Sequence, residues 1–207
     1  GSPCQFYIKL NRKRIMDKSL TLCSRMEEFS EVVCTGRFTD AMGDELNIEA
    51  GIEKFLKKLK QAKESDKRVF VVGNGGSAGV ASHVVTDFVN KGGLRASTLH
   101  DPALLTCMAN DYGYENAFAQ ILSTLAHKGD VLIAISSSGQ SANIQNAIEL
   151  MQKLGGITIS LSGFKKNNPL RSLGSLNFWL DSNDYGFVEI GHFFLLHHIA
   201  DQVTTVK

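Results

Sequence analysis

One stretch of the chain restricts the possible fold more than any other. It reads VFVVGNGGSAGVASHVVTD over Val69–Asp87: a short apolar run, a glycine-rich loop and a helix-like segment. Glycines let the backbone turn tightly and approach a bound group, and a helix that follows presents unpaired N–H groups at its start. This order is typical of a parallel sheet with an anion site at one edge. A glycine-rich loop alone is weak support for any function, so the function of this loop has to be inferred together with motifs elsewhere in the chain.

Strands and helices alternate from this stretch onward. The predicted strands are Val69–Val72, Ala96–Leu99, Val131–Ile135, Ile157–Leu161 and Leu176–Leu180. The predicted helices are Ala78–Asn90, Ala103–Ala109, Glu115–Ala126, Ala142–Leu154 and Phe187–Thr205, with a short helix near Leu170 and a loop at Asn110–Gly113. Strands separated by helices form parallel sheets covered on both faces, with ligands at the carboxyl ends of the strands. We therefore expect an α/β three-layer sandwich with a five-stranded parallel sheet.

Two further helices are predicted ahead of the first strand. They cover Asp17–Thr35 and Ile48–Lys63, and the link Gly36–Leu46 reads as a break between them. The pair could form a subunit interface or cover its own sheet, and composition does not decide between these. Gly1-Ser2-Pro3 resembles a cleavage scar, so we expect residues 1–15 to be a tag remnant and a flexible N-terminus. Residues 16–207 are expected to form one domain, with the helical pair at 16–66 and the α/β core at 67–207.

Composition excludes several classes of function. With 22 basic and 21 acidic residues, charge gives no reason to expect nucleic acid or a membrane as partner. No apolar stretch approaches the roughly 20 residues of a membrane span. The four cysteines lack metal-finger spacing and are expected to be idle thiols. We expect a cytoplasmic protein.

A second loop, SSSGQS at 136–141, follows the predicted strand Val131–Ile135. Its hydroxyls and the N–H groups at the start of the next helix suit the phosphate of a small metabolite. The loop has no lysine, so it is not a Walker-type loop and does not indicate nucleotide hydrolysis. The alternative is a helix cap with solvated serines.

Two helices carry candidate metal ligands or proton carriers. His83 and Asp87 are four residues apart and share one helix face, although a surface pair is the alternative. The last helix is apolar nearly all round, so we expect it to be buried, with polar groups that need partners. At about 100° per residue, His197 lies roughly 80° from Glu189, whereas His198 lies roughly 180° away. His192 is near Glu189 in angle but roughly 140° from His197.

This geometry selects Glu189 with His197 and leaves His198 as a structural histidine. Satisfied core histidines remain the alternative for the whole group.

Taken together, four segments resemble the phosphoheptose isomerases of the sugar isomerase (SIS) superfamily. They are GNGGSAGVASHVVTDF (73–88), MANDYGYENAF (108–118), GDVLIAISSSGQSANI (129–144) and DYGFVEIGHFFLLHHIAD (184–201). The resemblance implies a flavodoxin-like SIS fold and the conversion of sedoheptulose 7-phosphate to D-glycero-D-manno-heptose 7-phosphate for bacterial surface polysaccharide. It also implies a homotetramer with interfacial active sites.

The resemblance assigns roles to individual positions. It implies phosphate binding by Ser136, Ser137, Ser138 and Ser141, and sugar binding by Asn74, Gly75, Ser77 and Asp111. It implies a zinc ion held by His83, Asp87, Glu189 and His197, with Asp87 and His197 as catalytic proton carriers.

The sequence departs from the family pattern at two of these positions. Asp87 stands where the family usually has glutamate, and Glu189 stands where glutamine is common. Either change could favour the metal or alter the substrate. Two alternatives therefore remain: an isomerase of another sugar phosphate, and a non-catalytic SIS protein resembling the replication-initiator-associating protein.

Overall fold

The structure, a computed structural model, describes residues 21–204. The expected tag and N-terminus at 1–15, the first residues of the helix predicted from Asp17 and the helix end predicted at Thr205 lie outside this range. The helices are α1 (Leu22–Cys34), α2 (Ile48–Glu64), α3 (Gly76–Asn90), α4 (Pro102–Tyr112), α5 (Ala117–Leu125), α6 (Ala142–Lys153) and α7 (Tyr185–Thr204). The strands are β1 (Arg37–Asp40), β2 (Glu45–Leu46), β3 (Arg68–Gly73), β4 (Arg95–Thr98), β5 (Val131–Ser136), β6 (Ile157–Ser162) and β7 (Leu176–Trp179). Short 3₁₀ turns cover Tyr114–Asn116 and Pro169–Ser172.

One sheet of seven strands runs through the molecule in the order β2-β1-β7-β6-β5-β3-β4. Strands β4, β3, β5, β6 and β7 are parallel neighbours, whereas β1 runs antiparallel to both β7 and β2. The five predicted parallel strands are therefore present, but the expected five-stranded sheet was too small. The α/β class itself is confirmed.

The extra strands come from the link 36–46, which separates the two leading helices as predicted but also forms a hairpin that the sequence analysis missed. Phe38 is fully buried, lies opposite Phe178 in the register and has its ring centroid 4.8 Å from that of Phe178. The Asp40 carboxylate accepts hydrogen bonds from the N–H groups of Met42 and Asp44 (3.0 and 3.2 Å) and so closes the turn. A four-residue strand is too short to show a periodic pattern, and its partner lies far away in the sequence.

Apolar side chains fill both faces of the sheet and make three layers. On one face, helices α2, α3 and α7 contribute Phe55, Val84 and Leu196 to a cluster with Val71 and Ile133. Neighbouring strand residues point the other way, because side chains alternate along a strand. That second face carries the α5 and α6 residues Phe118, Ile121, Ile144 and Ile148 together with Val72 and Leu132.

Helix α4 extends to Tyr112, so the loop predicted at 110–113 belongs largely to that helix. Asp101 caps α4 by accepting from the Leu104 N–H (2.9 Å), and Pro102 takes the first helical position. Within residues 21–204, none of the helices combines the length and apolar content that a bilayer crossing demands.

Helix α7 is not buried all round, contrary to the sequence prediction. Ile190 is 53% exposed and Phe194 is 60% exposed, and His198, one turn further along the same face, is exposed as well. His198 is therefore not the structural histidine. That position belongs to His192, which is fully buried and donates a hydrogen bond from Nε2 to the Ser162 carbonyl (3.0 Å). An apolar helix face predicts contact with some apolar surface, but it does not say whether that surface lies in the same chain.

Candidate active site

The serine loop lies at the carboxyl end of β5. Ser136 accepts a hydrogen bond from the Gly139 N–H (3.1 Å), and its hydroxyl donates to Ser141 Oγ at 3.3 Å. Ser141 precedes α6 without capping it through its side chain, so its hydroxyl does not occupy the first N–H groups of that helix. The Ser137 hydroxyl is buried and has no partner among the described residues. Free hydroxyls beside a helix N-terminus form a suitable site for an anion.

A cavity of about 240 Å³ opens above this loop and the glycine loop. Its lining consists of Asn74, Gly75, Gly76, Ser77, Ile135, Ser136, Ser137, Ser138, Ser141, Tyr185 and Glu189. All the predicted substrate-binding residues except Asp111 are in this set. Asp111 is exposed at the end of α4, where its carboxylate accepts from Asn110 Nδ2 (2.9 Å).

The glycine loop depends on two glycines for its path. A Cβ at Gly73 would come within 2.6 Å of the Ser77 carbonyl group, so only glycine lets β3 end this close to the first turn of α3. Gly75 has φ of 54°, a left-handed conformation that costs glycine little. The loop thereby places Asn74 and Ser77 on the cavity wall.

Sequence reasoning missed Asn143, which holds Asn74 in place. The two side-chain amides pair reciprocally: Asn74 Nδ2 donates to Asn143 Oδ1 and Asn143 Nδ2 donates to Asn74 Oδ1, both at 2.9 Å. The Tyr114 hydroxyl also donates to Asn74 Oδ1 (2.8 Å). Asn143 lies beside Ile144 and one turn before Ala147, on the buried stripe of α6. A polar residue on an apolar stripe was the signal that could have identified it.

A second cluster lies further along α3. His83 and Asp87 on this helix meet His197 on α7, and one ligand atom from each lies within 4.8 Å of the others. Asp87 Oδ2 is 2.8 Å from His197 Nδ1 but has no hydrogen-bond partner among residues 21–204, and Asp87 is only 8% exposed. The ring of Phe193 packs against both imidazoles, with centroids 4.8 Å from His83 and 4.4 Å from His197. Two imidazole nitrogens and a carboxylate oxygen are the donor types that zinc prefers.

Glu189 lies outside this three-residue group. It lines the cavity, with its carboxylate against Gly76 so closely that a Cβ at Gly76 would collide with it. The structure thus brings together three of the four residues implied as metal ligands, and it places the fourth in the cavity, against Gly76 of the glycine loop.

Lys91 is a further charged group at the cluster that the sequence did not suggest. Its ammonium lies 3.5 Å from Asp87 Oδ1 and 3.5 Å from a carboxylate oxygen of Asp201. These negative charges, Asp87 first, raise the pKa of Lys91, so Lys91 stays positively charged near the Asp87 carboxylate.

Known proteins give an independent comparison. The family model described as SIS domain matches residues 40–163. The phosphoheptose isomerase of Citrifermentans bemidjiense is 35% identical over 162 residues, which are 75% of this chain and 84% of the relative. That of Helicobacter pylori HPAG1 is 36% identical over 144 residues, covering 67% of this chain and 74% of the relative.

The fold is also found among solved structures. The phosphoheptose isomerase GmhA of Neisseria gonorrhoeae superposes with a TM-score of 0.77 over 89% of this chain and 97% of its own, at 23% identity. This likeness establishes the shared architecture, and the sequence identities above establish kinship. The chain belongs to the phosphoheptose isomerase family of SIS-domain proteins.

Proposed function

We propose that the protein isomerises sedoheptulose 7-phosphate to D-glycero-D-manno-heptose 7-phosphate. One observation carries this proposal. Helix α3 begins at a cavity lined with serine hydroxyls, and further along it places the Asp87 carboxylate 2.8 Å from the His197 imidazole. Curated relatives named phosphoheptose isomerase support it. We propose that the product serves bacterial surface polysaccharide synthesis, as the family resemblance implies.

The serine loop binds the phosphate in this proposal. Ser136, Ser137, Ser138 and Ser141 offer hydroxyls, and the start of α6 offers N–H groups and a positive dipole end. Asn74 and Ser77 contact the sugar from the glycine loop. Asp111 is proposed as a sugar contact on the resemblance alone, since its side chain is exposed away from the cavity lining.

The isomerisation moves protons and consumes no second substrate. A base removes a proton from C1, and the electron pair left behind forms the C1=C2 bond while O2 takes up the charge. A proton then passes to O2, a proton leaves O1 and another is returned to C2, which yields the aldose. Asp87 and His197, 2.8 Å apart, are the proposed proton carriers.

We propose that His83, Asp87 and His197 hold a zinc ion, with Glu189 as the fourth ligand implied by the resemblance. The donor set of the first three residues fits a divalent metal of this type. A bound ion would polarise the carbonyl and hydroxyl oxygens of the sugar. Metal analysis and titration calorimetry test this directly, with His83→Ala expected to weaken binding; unchanged affinity in that variant would contradict the assignment.

The active protein is proposed to be a homotetramer with interfacial active sites. Ser77 and Asp87 are ten residues apart on α3, about 15 Å along the helix axis. One chain therefore holds Ser77, on the wall of its substrate cavity, well apart from its proton carriers. This separation supports a site in which an adjoining subunit brings the missing half.

Turnover of sedoheptulose 7-phosphate, followed by NMR in D₂O, tests the proposed reaction. The expected result is aldose formation with deuterium incorporation beside the carbonyl, and loss of both after chelation. The proposal would be contradicted if metal-replete protein left this substrate unchanged. A panel of pentose, hexose and other heptose phosphates then distinguishes a different substrate from a non-catalytic binding protein, which would convert none of them.

A further inference from the structure

Three hydrogen bonds fix the orientation of the Asn74 side-chain amide on the glycine loop. Its oxygen accepts two hydrogen bonds, from Asn143 Nδ2 (2.9 Å) and the Tyr114 hydroxyl (2.8 Å), which fill both lone pairs. One hydrogen of Asn74 Nδ2 goes to Asn143 Oδ1 (2.9 Å). A single N–H remains, and residues 21–204 provide no acceptor for it.

Asn143 is too deeply buried to contact a ligand in the cavity directly. It is only 3% exposed and does not line the cavity, whereas Asn74 is half-buried and does. Both polar atoms of the Asn143 amide are bonded to Asn74. The pair also connects the loop after β3 to the first turn of α6, the helix that follows the serine loop.

We infer that Asn143 is a positioning residue that makes Asn74 a one-hydrogen donor to a sugar oxygen. Asn143 and Tyr114 occupy the Asn74 oxygen, so Asn74 meets the ligand only as a donor, in an orientation set by the reciprocal pair. The partner on the ligand is an oxygen with a free lone pair, either carbonyl or hydroxyl. This role rests on the proposed isomerase function.

A double-mutant cycle in the full-length holoenzyme tests the inference. If Asn143 acts through Asn74, Asn143→Ala lowers kcat/KM by about tenfold in the wild-type background and by little in the Asn74→Ala background. An equal loss in both backgrounds would overturn the inference. Inhibition by inorganic phosphate separates positioning from collapse of the serine loop: its inhibition constant is expected to stay unchanged in Asn143→Ala.

The matched control is Asn146→Ala. Asn146 lies on the same helix and its Nδ2 donates to the Glu115 carbonyl (2.8 Å), outside the cavity lining. Its effect on kcat/KM is expected to be small and the same with or without Asn74→Ala. Should Asn143→Ala fail to fold, Asn143→Asp keeps the side-chain volume and removes the donor to Asn74 Oδ1, and it takes the place of Asn143→Ala in the cycle.

A measurement without substrate keeps the inference separate from the isomerase proposal. In ¹⁵N NMR spectra, the Nδ2 hydrogen of Asn74 that bonds to Asn143 Oδ1 is expected to exchange slowly with solvent in the wild-type protein. Asn143→Ala should remove this protection, and Asn146→Ala should preserve it. An unprotected wild-type NH₂, or an Asn74 signal unchanged by Asn143→Ala, would overturn the positioning role whether or not the protein turns over the heptose phosphate.

Discussion

The imidazole of His192 is the titratable group on which burial has the clearest effect. It is fully buried, and loss of solvation lowers its pKa from 6.5 to about 4, although its hydrogen bond to the Ser162 carbonyl acts in the opposite direction. The Ser162 carbonyl also accepts from the Leu180 N–H (3.0 Å). His192 therefore stays neutral in the folded chain at pH values where an exposed histidine is charged.

This buried histidine makes stability depend on pH. Between pH 6.5 and about 4 the unfolded chain binds a proton that folded His192 does not, so the free energy of unfolding falls as the pH falls through this window. The contribution is roughly 3 kcal/mol at its largest. Urea unfolding of wild type and His192→Gln over this range should give a smaller decline for the variant. If the free energy of unfolding fell equally with pH in the two proteins, His192 would not be the source of the pH dependence.

Substitutions at Asp87 test whether its carboxylate transfers a proton and whether the length of the side chain matters. Asp87→Asn keeps the shape but cannot carry a proton, so kcat is expected to fall by about 10²- to 10⁴-fold. Asp87→Glu keeps a carboxylate that can carry a proton on a side chain one methylene longer, and it is expected to retain most of the activity. Steady-state kinetics on the heptose phosphate, with circular dichroism as the folding control, measure both. Equal losses in the two variants would argue against proton transfer by this carboxylate.

At the scale of single residues, helical spacing predicted that His83 and Asp87 share a face, whereas Glu189 and His197, grouped by angle on one helix, lie in the cavity and in the histidine cluster respectively. His83 and Asp87 share a face because four residues make about one turn. His198 was given a buried role because angle alone does not say which face meets the core. Asn143 escaped notice because its partner Asn74 is far away in the sequence, and only the fold brings their amides together.

Among the secondary-structure elements, α3 depends most on a glycine. Gly73→Ala would place a Cβ 2.6 Å from the Ser77 carbonyl group and displace the start of the helix that carries His83 and Asp87. We expect it to lower the free energy of unfolding by roughly 2 kcal/mol or more and to weaken metal binding.

Gly79→Ala is the matched control on the same helix. Nothing lies within 4 Å of a Cβ at Gly79, so the substitution should raise the free energy of unfolding by about 0.5–1 kcal/mol through lower chain entropy and better helix propensity. Denaturant unfolding measures both variants. Destabilisation by Gly79→Ala as large as that by Gly73→Ala would show that α3 tolerates no Cβ at either place.

The elements that sequence predicted best are the long periodic ones. Strand β5 ends one residue beyond its predicted end, and α2 begins at the predicted Ile48, with Asn47 Oδ1 accepting from the Ala50 N–H (2.8 Å). The hairpin of β1 and β2 was missed because its stability comes from Phe38 against Phe178 across the sheet. Such a contact has no local signature.

On the scale of the whole molecule, the exposed apolar face of α7 needs a partner. Ile190 and Phe194, one turn apart, are both more than half exposed in the single chain. A second copy of the chain is the partner that the proposed tetramer supplies.

Phe194→Glu places a charge on this face and is expected to dissociate the assembly, because an unpaired buried carboxylate is costly. Light scattering after gel filtration would then give a smaller mass than for wild type. Met42→Glu, at an 85% exposed position on the hairpin turn, is the control and should leave the mass unchanged. A wild-type mass retained by Phe194→Glu would place the subunit contact elsewhere.

The hairpin beside β7 has a consequence for solubility during folding and storage. Without it, β7 would be an open edge whose backbone N–H and C=O groups could pair with another molecule and start aggregation. The hairpin ends this row with β2, only two residues long, whose Glu45 lies 3.1 Å from the guanidinium of Arg37. At the opposite edge, β4 is four residues long and begins at Arg95, which forms an ion pair with Asp66 (2.7 Å). Because the two edge strands are short and carry charged residues, they offer few unpaired backbone N–H and C=O groups to which another chain could add as a strand.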